Sequence, residues 1–203
     1  ALLSDCKGVT YMKKQPEITS ATRKTFVDAF CSLYLHTPIE KITVQEIVRR
    51  AGYNRSTFYQ YFRDVNDLLT YLEDEIIENI REKVDMNFDQ IDFADSFICS
   101  FSSLHEETEK YVAMLLTNPD STKFTQRVKT AMMPVLLRHF NISENDEKAV
   151  YVLEFYLAGV IAIASHWLAE GRKVPIIEVG RLIHTLLTEG VLSALGREHA
   201  DCD

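Results

Sequence analysis

The stretch "ITVQEIVRRAGYNRSTFYQYF", Ile42 to Phe62, decides how the chain is read. "TVQE" is a capping box: the Thr43 hydroxyl caps a free backbone N–H, and Glu46 reaches back to Thr43. It opens a helix whose apolar face is Ile47, Val48 and Ala51. Gly52 ends that helix, because glycine tolerates the positive φ of a helix C-terminus. Asn54 then caps a second helix, expected over about Arg55 to Phe62. In that helix Phe58 and Phe62 lie four residues apart and share one face, which anchors it. Ser56, Tyr59, Gln60 and Arg63 fall on the opposite face. Two short helices joined at a glycine, the second with outward hydrogen-bonding groups, form a helix-turn-helix pattern.

Charge sets this region apart. The chain has 203 residues and a net charge of −8. Up to Asp64 it carries ten Lys/Arg against six Asp/Glu, a net +4, so the remainder stands at −12. A basic head on an acidic body implies that the head alone meets a polyanion. The outward hydroxyls, phenol, amide and guanidinium suit phosphate contact and base-edge reading in a major groove.

Working outward, helical periodicity dominates and strand alternation is scarce, so the fold class is all-α. A helix from about Ser20 to Leu35 precedes the motif, with Phe26, Ala29, Phe30 and Leu33 on one face, and Pro38 breaks the connection that follows. Asp64 caps a helix carrying Leu68, Leu72, Ile76 and Ile80 to about Val84. Further helices are expected around Phe93–Phe101, around Tyr111–Leu115, and from Ser121, where Pro134 should introduce a kink. Two long helices close the chain, one from about Asp146 to Glu170 and one from Pro175 to near Gly196. The division expected is a flexible N-terminal extension over 1–15, a three-helix head over 16–64, and a helical body over 65–203.

Val150 to Leu168 is apolar nearly all round. Glu154 and His166 interrupt it, and its unbroken part is short of the roughly 20 residues that cross a bilayer. Such a helix in a soluble protein is buried on all sides. Its small residues Ala158, Ala162, Ser165 and Ala169 recur at helical spacing and allow close approach, so a homodimer interface is expected there and no membrane partner. Cys6, Cys31, Cys99 and Cys202 show no metal-ligand or CxxC spacing and fit reduced thiols in the cytoplasm. His105, His139, His166 and His184 form no metal pattern. No phosphate loop or catalytic triad pattern occurs, so neither enzyme activity nor a cofactor is expected.

"ITVQEIVRRAGYNRSTFYQYFRDVNDLL" resembles the DNA-binding segment of the TetR/AcrR family of bacterial transcriptional regulators, over about Ser20 to Leu69. The resemblance implies a DNA-binding head and a helical body that binds a small-molecule effector and dimerises through the last two helices. It places Thr43, Thr57 and Tyr59 on phosphates, and Arg55, Ser56, Gln60 and Tyr61 in or beside the major groove. The family usually has Lys where this chain has Val65; that lysine contacts phosphate, and Arg63 or the Lys13–Lys14 arm could offset its loss. Phe97, Phe101, Met114, Met132 and Phe155 are candidates for an effector pocket. Glu154, a carboxylate within an apolar helix, requires a partner there. The function expected is an effector-responsive repressor of a double-stranded, palindromic operator; the alternative is a co-activator working through protein contacts.

Overall fold

The structure, a computed structural model, describes residues 16–88, 106–118 and 121–190. Among these residues it contains eight α-helices, one 3₁₀ turn and no strand. The chain divides into two compact units between Leu68 and Leu69.

The first unit is the head. Helix α1 (Pro16–Tyr34) begins four residues earlier than its periodicity suggests. Proline suits a first helical position, where no backbone N–H is needed. A 3₁₀ turn (Ile39–Lys41) follows Pro38, then α2 (Val44–Ala51) and α3 (Arg55–Tyr59). Both halves of the α2 capping box are formed, and Gly52 takes φ 71°. The backbone N–H groups of Gly52 and Tyr53 both return to the Val48 carbonyl, which sets the turn. Helix α3 is shorter than its Phe58–Phe62 spacing implies. It tightens after Tyr59, where the Gln60 and Tyr61 N–H groups bond three residues back, to Thr57 and Phe58. Phe62 still reaches the core through this turn.

That core is aromatic. Phe26 and Phe30 of α1, Ile47 of α2 and Phe58 of α3 are fully buried. Phe26 meets Phe58 edge-on at 5.4 Å and Phe62 at 6.3 Å, a favoured geometry for ring quadrupoles. Arg50 ties α2 to α1 through the Ser32 hydroxyl at 2.6 Å. Cys31 is a buried free thiol, and burial pushes its pKa up to about 12. It fills space as a small hydrophobe, and the high pKa removes the reactive thiolate.

Helix α4 (Val65–Phe88) starts in the head and runs unbroken into the second unit, four residues beyond the expected end. Val65 and Leu68 are buried, which explains why the head extends past Asp64. The second unit adds α5 (Glu106–Thr117), α6 (Ser121–His139), α7 (Glu147–Ala169) and α8 (Ile176–Thr188). Helix α6 is continuous through Pro134. Helix α7 packs on α5, α6 and α8. Its length and composition would suffice to cross a membrane, yet it buries Leu153, Leu157, Ala164, Trp167 and Leu168 within the chain. The turn into α8 is fixed by Trp167, whose indole N–H donates to the Val174 carbonyl at 2.6 Å. The helix expected around Phe97 and Phe101, the segment 1–15 and the end of the last helix near Gly196 lie outside the described residues.

Candidate nucleic-acid interface

The turn at Gly52 and the Asn54 cap fix where α3 points. Asn54 accepts a hydrogen bond from the Thr57 N–H at 2.8 Å, so the first turn of α3 is held by a side chain and its other residues stay outward. Arg55, Ser56, Tyr59 and Gln60 are exposed. Tyr59 keeps 58% of its surface accessible, although its ring edge leans on Phe58 at 5.7 Å. A large aromatic held this way presents its phenol to whatever meets the face.

Other site residues are partly committed. The Thr43 hydroxyl donates to Glu46 at 2.8 Å while accepting the Glu46 N–H at 3.3 Å. A Thr43–phosphate contact therefore requires its proton to swing away from Glu46. Thr57 likewise donates to Asn54 at 3.1 Å. Tyr61 is half-buried, its ring 6.2 Å from that of Phe26 and capped by the Arg23 guanidinium at 5.8 Å. It serves the packing of α3 against α1, and Arg23 becomes a further cation at this edge.

Arg63 matters because of its neighbour. Its side chain is 87% accessible, but its guanidinium grips Asp67 at 2.8 Å and its backbone N–H bonds the same carboxylate. The Arg63 bond holds the Asp67 carboxyl below its usual range. Val65, at the position where the family usually has Lys, is 8% exposed. It contributes to the head core and offers no charge.

Three residues beyond those expected to contact DNA lie beside this face. Gln45, Arg49 and Tyr53 line an open cleft of about 580 Å³ together with Val48, Asn54, Arg55 and Ser56. Gln45 and Arg49 sit four residues apart on α2, so their shared outward face was the available signal. Arg49 and Arg55 give the cleft positive charge beside the α3 face.

In the second unit, Met114 and Met132 are buried. Glu154 finds its partner in Lys129 of α6 at 3.0 Å. Phe155 is not in a pocket wall: 75% of it is accessible. It shares an outer stripe of α7 with Tyr151, Val152, Ala158, Ala162 and Ala169, all exposed, and Ser165, half-buried. Period alone could not separate the inner from the outer face of a helix apolar all round. Phe97 and Phe101 lie outside the described residues.

A tri-helical head with a turn at glycine and an outward polar, cationic α3 defines a helix-turn-helix DNA-binding domain. Residues 19–72 match the family model for bacterial regulatory proteins of the tetR family. The chain is 27% identical over 122 residues to the HTH-type transcriptional regulator AlkX of Mycobacterium tuberculosis, a match covering 57% of each protein. It is 36% identical over 52 residues to YwcC, an uncharacterised HTH-type transcriptional regulator of Bacillus subtilis, covering 26% of this chain and 23% of that protein. The chain thus spans little more than half the length of the one and about a quarter of the other. A solved TetR transcriptional regulator from Streptococcus agalactiae has the same fold, with a TM-score of 0.62 and 22% identity over 84% of this chain and 96% of that one.

Proposed function

We propose that the chain is a dimeric, cytoplasmic transcriptional regulator that represses a palindromic operator and releases it when its body binds a small molecule. The observation that carries this reading is the outward face of α3, with Arg55, Ser56, Tyr59 and Gln60 exposed on a rigid aromatic core. Tyr59 and Thr57 contact phosphates; Arg55, Ser56 and Gln60 read base edges. The exposed α7 stripe, with Ile177 and Leu182 exposed on α8, is the surface a second copy covers. Isolated exposed apolar residues are ordinary, but a stripe with small residues at helical spacing fits a helix–helix contact. Helix α4 continues without a break across the boundary between the two units, so it is the element through which a bound ligand would act on the head. Release by 100-fold requires about 2.7 kcal/mol of differential ligand affinity between the two states.

A second reading has its own observation. With Val65 buried and Arg63 gripped by Asp67, the phosphate-contacting set is reduced, which favours a regulator that works partly through protein contacts. Fluorescence anisotropy with promoter fragments across a salt series separates the two. The repressor reading expects log affinity to fall linearly with log salt, by about 0.9 per phosphate neutralised. Flat, weak binding at every salt concentration would sink it and leave the protein-docking reading.

A further inference from the structure

Helix α4 turns one face into the body, marked by the buried Leu72 and Ile76. At 3.6 residues per turn, Asn79 falls about 20° from Leu72 around the helix and about 60° from Ile76. It therefore belongs to the same inward stripe, where an apolar residue would be the ordinary choice. Its side-chain oxygen is enclosed and meets no hydrogen-bond donor. Enclosing a carbonyl oxygen without a donor is unfavourable, and such a group in a folded protein requires an explanation.

Three carboxylates of the body are paired with cations. Glu73 of α4 is held by Arg127, Glu154 by Lys129, and Glu109 by Arg172. Each bridges two segments of the body, and Arg127 bonds Asp74 as well as Glu73. Asn79 has no such partner: among the described residues it holds the one buried side-chain polar atom left unbonded.

We propose that Asn79 is the polar anchor of the effector site, accepting a hydrogen bond from a neutral, mainly apolar molecule that carries an O–H or N–H group. This rests on the body being an effector-binding unit, and it specifies what that unit recognises. The apolar neighbours on the stripe supply contact area. The single acceptor supplies orientation and rejects analogues without a donor, because their binding would leave the oxygen unpaired. An anionic ligand finds Arg127, Lys129 and Arg172 already paired with carboxylates.

The test is calorimetric titration of the full chain with 1-decanol and with its isomer 1-methoxynonane, which lacks the O–H, and with decanoate. The alcohol is expected to bind at least about tenfold more tightly than the ether, and decanoate no more tightly than the ether. Asn79→Leu removes the acceptor at similar volume. It should abolish the preference while raising the melting temperature, which also shows that the variant folds. Asn79→Ala should abolish the preference too. Equal affinity of alcohol and ether for the unaltered chain, binding of neither, tighter binding of decanoate, or a preference that survives both substitutions overturns the proposal. If the alcohol binds through Asn79 but leaves DNA affinity unchanged, the anchor stands and release by effector fails.

Discussion

Thr43 and Glu46 show how one residue serves two tasks. Their reciprocal bonds start α2, and the same hydroxyl is the proposed phosphate donor. Bonds from the Thr43 hydroxyl and backbone N–H hold the Glu46 carboxyl below its usual range, and the Arg63 guanidinium does the same for Asp67. A carboxylate whose pKa is depressed by folding stabilises the fold above its unfolded pKa, and that contribution is lost as pH falls through the folded value. The head should therefore lose stability below about pH 4, near the ordinary carboxylate range. Glu46→Gln preserves the capping geometry without the titration and should flatten the fall in a series of melting curves; an unchanged slope would contradict the assignment. The capping box, the glycine turn and the Asn54 cap were legible in the sequence because each is complete within four or five residues. Tyr61 was not, because Phe26 and Arg23, which hold it, come from α1. Arg63 was read as an available cation because the sequence does not show which way a guanidinium folds.

At the scale of elements, α4 and α6 are joined by charge. Arg127 bonds Glu73 and Asp74, and Arg138 bonds Asp85 at 2.6 Å. Both partners advance by the same number of residues between the two contacts, so the helices run parallel, with the clasps about three turns apart. The clasps are unequal. Glu73 is buried, so Arg127→Ala leaves a buried carboxylate without its cation and should destabilise the protein by about 3 kcal/mol. Asp85 and Arg138 are both well exposed, and Arg138→Ala should change stability by under about 1 kcal/mol. Chemical denaturation of the two variants checks the ordering, and equal effects would contradict it. None of this pairing was legible, since the partners lie more than fifty residues apart. The helix type was legible nearly everywhere described, because the apolar period is local. The end of α3 was not, because the core needed Phe62 and a tightened turn delivers it as well as a helix does.

At the scale of the molecule, a basic head and an acidic body were visible from charge counts alone, as was the apolar α7. Which face of α7 points outward was not, and Phe155 was misplaced for that reason. The exposed stripe of Tyr151, Phe155, Ala158 and Ala162 should be covered by a second copy. Ala162→Trp places a bulky ring at the close contact and should convert a dimer into a monomer in sedimentation. An unaltered chain that sediments as a monomer at micromolar concentration would rule out this interface. A dimer matters for the head because it presents two copies of α3 to two half-sites about one helical turn apart, or a multiple of that.

The central claim is that the outward face of α3 reads DNA, and selection of binding sites from random duplexes tests it most directly. The unaltered chain should recover a palindrome with half-sites at helical-turn spacing. Gln60→Ala should relax the preference at one position per half-site by about 1–3 kcal/mol. Tyr59→Ala should weaken binding to all duplexes without changing the recovered sequence, because phosphate contacts carry no base information. Recovery of no preferred sequence, or of the same sequence with the same discrimination from Gln60→Ala and Arg55→Ala alike, would contradict the account.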